Sequence, residues 1–90
     1  MQHVLAVCGF GVGSSMVLKM QVEKAFTELG IEAQVDNTDI SSATSMNPDL
    51  IYTSAEFADQ LEGQVRCPII SIKQFMNYKE VLEATRQIDL

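Results

Sequence analysis

His3-Val4-Leu5-Ala6-Val7-Cys8-Gly9-Phe10-Gly11-Val12-Gly13-Ser14-Ser15 is the stretch on which the fold turns. Its first five residues form a short, nearly continuous apolar run without polar alternation. That is the pattern of a strand buried on both faces, as strands of parallel sheets are. A glycine-rich turn closes the run, and Ser14 to Leu29 then reads as a helix. Leu18, Val22, Ala25, Phe26 and Leu29 fall at i, i+4, i+7, i+8 and i+11, one apolar stripe. Gly30 stands where a C′ glycine would stop that helix.

Outward from this unit the alternation repeats. Ile31 to Val35 predicts a second strand through Ile31, Ala33 and Val35. Residues 36–48 are rich in turn formers, with a short helix around Ile40 to Ser45. Leu50 to Tyr52 predicts a third strand. Thr53 to Glu56 matches a Thr-x-x-Glu capping box, so a third helix starts there and ends near Gly63. Pro68 to Ile72 predicts a fourth strand, its proline suited to the first residue of an edge strand. A last helix over Asn77 to Gln87 buries Tyr78, Val81, Leu82, Thr85 and Ile88. Four strands interleaved with helices predict an α/β, three-layer αβα sandwich around a four-stranded parallel sheet, Rossmann-like or flavodoxin-like. With right-handed crossovers the expected strand order is 2-1-3-4. Winding then reverses between strands 1 and 3, and open α/β sheets bind ligands there, beyond the C-terminal strand ends.

The 90 residues suit one domain, 1–90, without repeats or linker. A composition 47% hydrophobic and 20% charged excludes intrinsic disorder. No apolar run approaches the roughly 18 residues of a membrane span, and no basic n-region precedes the first strand, so a cytoplasmic location is expected. Six basic residues against twelve acidic give a formal net charge of −6, which argues against a nucleic-acid partner. Two cysteines, Cys8 and Cys67, are too few for a disulfide scaffold or a four-cysteine zinc site. Neither metal nor cofactor is expected.

The chemistry concentrates in Cys8 to Ser15. Three glycines in five residues let backbone N–H groups turn inward, and Ser14 or Ser15 is expected to cap the helix that follows. A glycine-rich turn running into a helix N-terminus binds anions, because amides converge and the helix dipole adds positive potential. The same field stabilises a thiolate at Cys8. Cys8 is therefore the candidate catalytic nucleophile. Gly9, Phe10, Gly11, Val12, Gly13, Ser14 and Ser15 form the candidate phosphate cradle. Neither the dinucleotide fingerprint nor the Walker pattern fits: serine occupies position 14, and no Gly-Lys-Ser or Gly-Lys-Thr follows.

Val7 to Met16, Val-Cys-Gly-x-Gly-x-Gly-Ser-Ser-Met, resembles the phosphorylation loop of IIB components of the bacterial sugar phosphotransferase system. The likeness is to the ascorbate and galactitol branch, and more to the ascorbate type, since Lys19-Met20 follows Ser14-Ser15-Met16. The resemblance implies that Cys8 takes a phosphoryl group from a phosphohistidine of a IIA protein. It then passes that group to a sugar held by a membrane IIC component. The partners implied are phosphorylated IIA and IIC.

Two other functions fit the same loop less well. Low-molecular-weight tyrosine phosphatases and arsenate reductases carry Cys-x5-Arg between strand 1 and helix 1, but here the arginine position holds Ser14. A IIB-like regulatory domain would normally belong to a longer chain. His3, the single histidine, starts strand 1 at the far end, so Cys8 has no histidine base of the papain kind. Cys67 precedes strand 4 at the same far edge and reads as structural. Thr53 and Ser54 read as helix caps, with a supplementary phosphate contact as the alternative. Met16 and Met20 lie off the core stripe of helix 1. They read as surface methionines or as a partner-docking patch.

Overall fold

The computed structural model describes residues 2–7 and 11–88, with the backbone alone for 11–15. The elements run β1 (Gln2–Val7), α1 (Gly11–Glu28), β2 (Ala33–Thr38), α2 (Ile40–Met46), β3 (Leu50–Thr53), α3 (Ala55–Leu61), β4 (Ile69–Ser71) and α4 (Tyr78–Arg86). The four strands form one parallel sheet in the order β2-β1-β3-β4, as expected.

β1 is the centre of this arrangement. It pairs with β2 from Gln2↔Ala33 to Val7↔Thr38, and with β3 from Val4↔Leu50 to Ala6↔Tyr52. Because strand side chains alternate between faces, its apolar run feeds two cores. Val4 and Ala6 join Leu18, Val22, Ala25, Phe26 and Val81 under α1 and α4, whereas Leu5 and Val7 join Ala43 and Leu61 under α2 and α3. All four β1 residues are fully buried. The helix stripe holds as well: Leu18, Val22, Ala25 and Phe26 are buried, with Leu29 half-buried at the end. On α4, Val81 and Thr85 are buried, and Tyr78, Leu82 and Ile88 pack half-buried against the same core.

The second strand starts and ends later than its apolar alternation predicts. Ile31 belongs to the end of α1, where its N–H donates to Phe26 O at 2.9 Å and Gly30 N–H donates to Thr27 O at 3.1 Å. With Gly30 at φ +73°, this is a Schellman closure. Ile31 packs on the core that holds Phe26. At the other end, Asp36, Asn37 and Thr38 remain in β2 despite their turn-forming character, because Leu5, Ala6 and Val7 of β1 pair with them. Sheet pairing overrides local propensity. Pro68 lies just outside β4 and contributes its carbonyl to Ile51 N–H at 3.2 Å, a role that needs no proline donor.

Tyr52 ties β3 to α4. Its ring meets Phe26 edge-on, with centroids 6.4 Å apart at 78°. Its hydroxyl bonds Thr85 Oγ1, which in turn donates to Val81 O at 2.8 Å. A fully buried phenol is thus provided with a partner, as burial of a hydroxyl requires. Across the α1–α4 contact, the Lys24 ammonium sits 4.5 Å above the Tyr78 ring.

Two stability measurements follow from these contacts. A Cβ at Gly30 would meet nothing within 4 Å, so Gly30→Ala carries only backbone strain. It should cost about 1 kcal/mol in urea unfolding, and Gly30→Asn less. Burial pushes the Tyr52 phenol up to about 12, with the Thr85 bond pulling weakly the other way. The unfolded chain ionises first, near 10. The contribution of Tyr52 is therefore whole below that pH and is lost as pH rises through about 12. Unfolding series across this window should show a fall of roughly 2–3 kcal/mol that Tyr52→Phe flattens.

Candidate functional site

The C-terminal edge of the sheet is formed by Val7, Thr38, Thr53 and Ser71, the last residues of the four strands. The switch point lies between β1 and β3, since β2 flanks β1 on one side and β4 flanks β3 on the other. Val7 delivers the chain to this point. Cys8, Gly9 and Phe10 lie outside the described residues, and the chain is helical again at Gly11.

That early start changes the reading of the glycine run. Gly11, Val12, Gly13, Ser14 and Ser15 form the first five residues of α1. Ser14 and Ser15 are therefore inside the helix, and neither is its cap. Glycine is a loop signal in sequence, but it accepts helical backbone at a cost of about 1 kcal/mol relative to alanine. In any helix the first turn leaves its N–H groups without intrahelical partners. Here those amides include Gly11, Val12 and Gly13. No acidic residue occupies the first turn of α1, so nothing on the helix itself neutralises its positive end.

Thr53 and Ser54 divide the work that a single capping box was expected to do. Ser54 is the N-cap of α3 and accepts from Phe57 N–H at 3.5 Å. Thr53 is the last residue of β3, fully buried, and its hydroxyl donates to the Val7 carbonyl at 2.7 Å. The β1–β3 ladder ends one step earlier, at Ala6↔Tyr52, so a side chain continues it across the switch point. A β-branched residue following Leu50-Ile51-Tyr52 was the available signal that the strand runs one residue further.

The remaining candidates fall as their sequence positions suggested. Met16 and Met20 are 41% and 63% exposed on α1. His3 sits near the start of β1, with its N–H donating to Asp49 Oδ2 at 2.8 Å and its ring 3.2 Å from Asp36 Oδ2. Cys67 is half-buried just before β4 and packs against the α2–α3 core. Burial pushes its thiol up, and the charge of Asp49 adds to this. A concavity of about 500 Å³ lined by Phe26, Gly30, Ile31 and Ala33 lies at the opposite end of the sheet, where α1 turns into β2.

Fold and switch-point geometry define a doubly wound α/β domain that opens its central strand onto a helix N-terminus. The sequence model of the family described as "PTS system, Lactose/Cellobiose specific IIB subunit" matches residues 3–84, and the chain belongs to this family. It is thus a phosphotransferase component of a sugar phosphotransferase system. Over 88 residues it is 28% identical to an ascorbate-specific PTS system EIIB component of Mycoplasma pneumoniae, covering 96% of this chain and 93% of that protein. It is 35% identical over 77 residues to the ascorbate-specific EIIB component of Escherichia coli O157:H7, covering 83% and 76%. The lactose-specific IIB domain from Streptococcus pneumoniae superposes with a TM-score of 0.67 at 12% identity, covering 94% of this chain and 91% of that one, a likeness of fold.

The two cysteines should separate by reactivity. Cys67, pushed upward by burial, stays protonated at neutral pH. For Cys8 the sequence raises the opposite expectation, a thiolate favoured by the glycine-rich run and helix start that follow it. Brief alkylation of the native protein at pH 7, read by peptide mass mapping, should label Cys8 first, and Cys8→Ser should take up little label. Preferential labelling of Cys67 would contradict the electrostatic reading of the loop.

Proposed function

We propose that Cys8 carries the phosphoryl group. The observation that carries this reading is the succession in the chain. β1 ends at Val7 on the switch point, cysteine follows, and three residues later α1 begins with a glycine-rich, acid-free first turn. The thiolate attacks phosphorus in line; the P–N bond to the imidazole of a IIA phosphohistidine breaks as the S–P bond forms. In the second transfer a sugar hydroxyl oxygen attacks phosphorus while its proton passes to a base on the sugar-binding partner or to water, the S–P bond breaks and the thiolate returns. The first-turn amides of Gly11, Val12 and Gly13, with Gly9, Phe10, Ser14 and Ser15 completing the cradle, neutralise charge on the phosphoryl oxygens. IIB components work with IIA and membrane IIC partners, and this chain takes its phosphoryl group from one and delivers it at the other, in the cytoplasm.

The sugar proposed is ascorbate, on the strength of the relatives from Mycoplasma pneumoniae and Escherichia coli O157:H7. Galactitol, the other branch that the loop resembles, is the comparison substrate. Phosphatase action lacks support, because position 14 provides serine where a guanidinium clamp would hold a monoester. The surface near Met16 and Met20 is where a partner would bring its own groups to the transfer.

Incubation with a phosphorylated ascorbate-type IIA should add one phosphoryl group, acid-stable and iodine-labile. Cys8→Ser should abolish the transfer and Cys67→Ser should leave it intact. The phosphoprotein should persist alone at neutral pH and discharge on addition of IIC-bearing membranes with ascorbate, but not with galactitol. Transfer surviving Cys8→Ser, or brisk turnover of an aryl phosphate, would overturn the assignment.

A further inference from the structure

Thr53 occupies an unusual place for a hydroxyl. It is fully buried, and it reaches across the switch point to the carbonyl of the residue that precedes Cys8. The residue is held from several sides. Its backbone pairs with Ser71 in β4, and its carbonyl accepts from Ile72 N–H at 2.8 Å, while Ile72 is itself buried. A side chain so enclosed has little freedom to choose another rotamer or another acceptor. The donor is therefore rigid, and it acts on the point where β1 stops being a strand.

The peptide unit is planar, so a donor fixed on a carbonyl restrains the orientation of the whole unit to which that carbonyl belongs. β3 supplies no backbone rung there, since its ladder with β1 ends at Ala6↔Tyr52. Valine would fill the same volume with the same branching, so packing alone does not call for an oxygen at this site.

We propose that Thr53 is a positioning residue for phosphoryl transfer. Its hydroxyl pins the Val7 carbonyl at the end of β1, the last described residue before Cys8 in the chain, and so holds fixed the strand end that carries the nucleophile. This rests on the reading of Cys8 as phosphoryl acceptor. Thr53 touches neither phosphate nor partner in this role; it acts through the backbone. Misplacement of a nucleophile by a fraction of an ångström to an ångström is costly in rate while leaving binding of the donor protein little changed.

The test compares Thr53→Val, Thr53→Ala and Thr53→Ser with Thr85→Val. Thr85 is the second buried threonine hydroxyl, bonded to Tyr52 and Val81 on α4. Three quantities are read: thermal stability, the rate of phosphoryl acceptance from phosphorylated IIA at saturating and limiting concentrations, and the pH dependence of Cys8 alkylation. Thr53→Val should lower the maximal acceptance rate roughly tenfold to a hundredfold with little change in the half-saturating IIA concentration. It should also raise the midpoint of Cys8 alkylation. Thr53→Ser, which keeps the hydroxyl, should restore both. Thr85→Val should lose stability but keep its acceptance rate within about threefold of wild type. Should Thr53→Val not fold, Thr53→Ala is held to the same expectations. Wild-type kinetics and alkylation in the hydroxyl-less variant overturn the proposal, as does an equal loss of rate in Thr85→Val. If the wild-type protein takes no phosphoryl group at Cys8, the proposed function fails instead, and the alkylation profiles still report whether Thr53 governs the thiol.

Discussion

A strand buried on both faces and paired along both edges leaves the rest of the chain little choice. β1 satisfies its backbone with β2 and β3 and divides its side chains between two cores. Each helix must then cover one face or the other, and the crossovers determine which. α1 connects β1 to β2 on one side; α2, moving back across β1 to reach β3, packs on the opposite side, and α3 follows it. The reversal of direction happens at β1, and so the one strand that organises both cores is also the strand that ends at the switch point. Structural and functional demands meet in the same six residues.

The elements whose period carries their burial were the legible ones. The β1 run, the Leu18–Val22–Phe26 stripe and the buried side of α4 could be read directly, because apolar residues at helical or strand spacing leave little ambiguity. Strand order came from the alternation of elements and the handedness of crossovers. Boundaries were harder wherever two local rules competed. Ile31 looked like strand and serves the helix closure; Asp36 and Asn37 looked like turn and are paired by β1. Gly11 and Gly13 looked like loop and are helical. In each instance the outcome depends on a partner distant in sequence or on hydrogen bonds that residue type alone does not encode.

At the site, residue types suggest a chemistry but say little of the supports around it. A cysteine between a buried strand and a glycine-rich helix start is visible in eight letters. The Thr53 hydroxyl is not, because its meaning depends on Val7, which stands beside it only in the folded sheet. The pattern Thr-x-x-Glu marks Thr53 as a cap, whereas Ser54 performs the cap one residue later.

The margins of the sheet bear on how the protein lives among copies of itself. β4 is three residues long and is preceded by a proline, and β2 carries Asp36 and Asn37 in its second half. Short strands and charged or polar edges make poor templates for an incoming chain. Neither border therefore invites backbone-to-backbone extension by a strand of another copy. That reluctance leaves its encounters to surfaces where side chains, rather than bare peptide groups, make the contact.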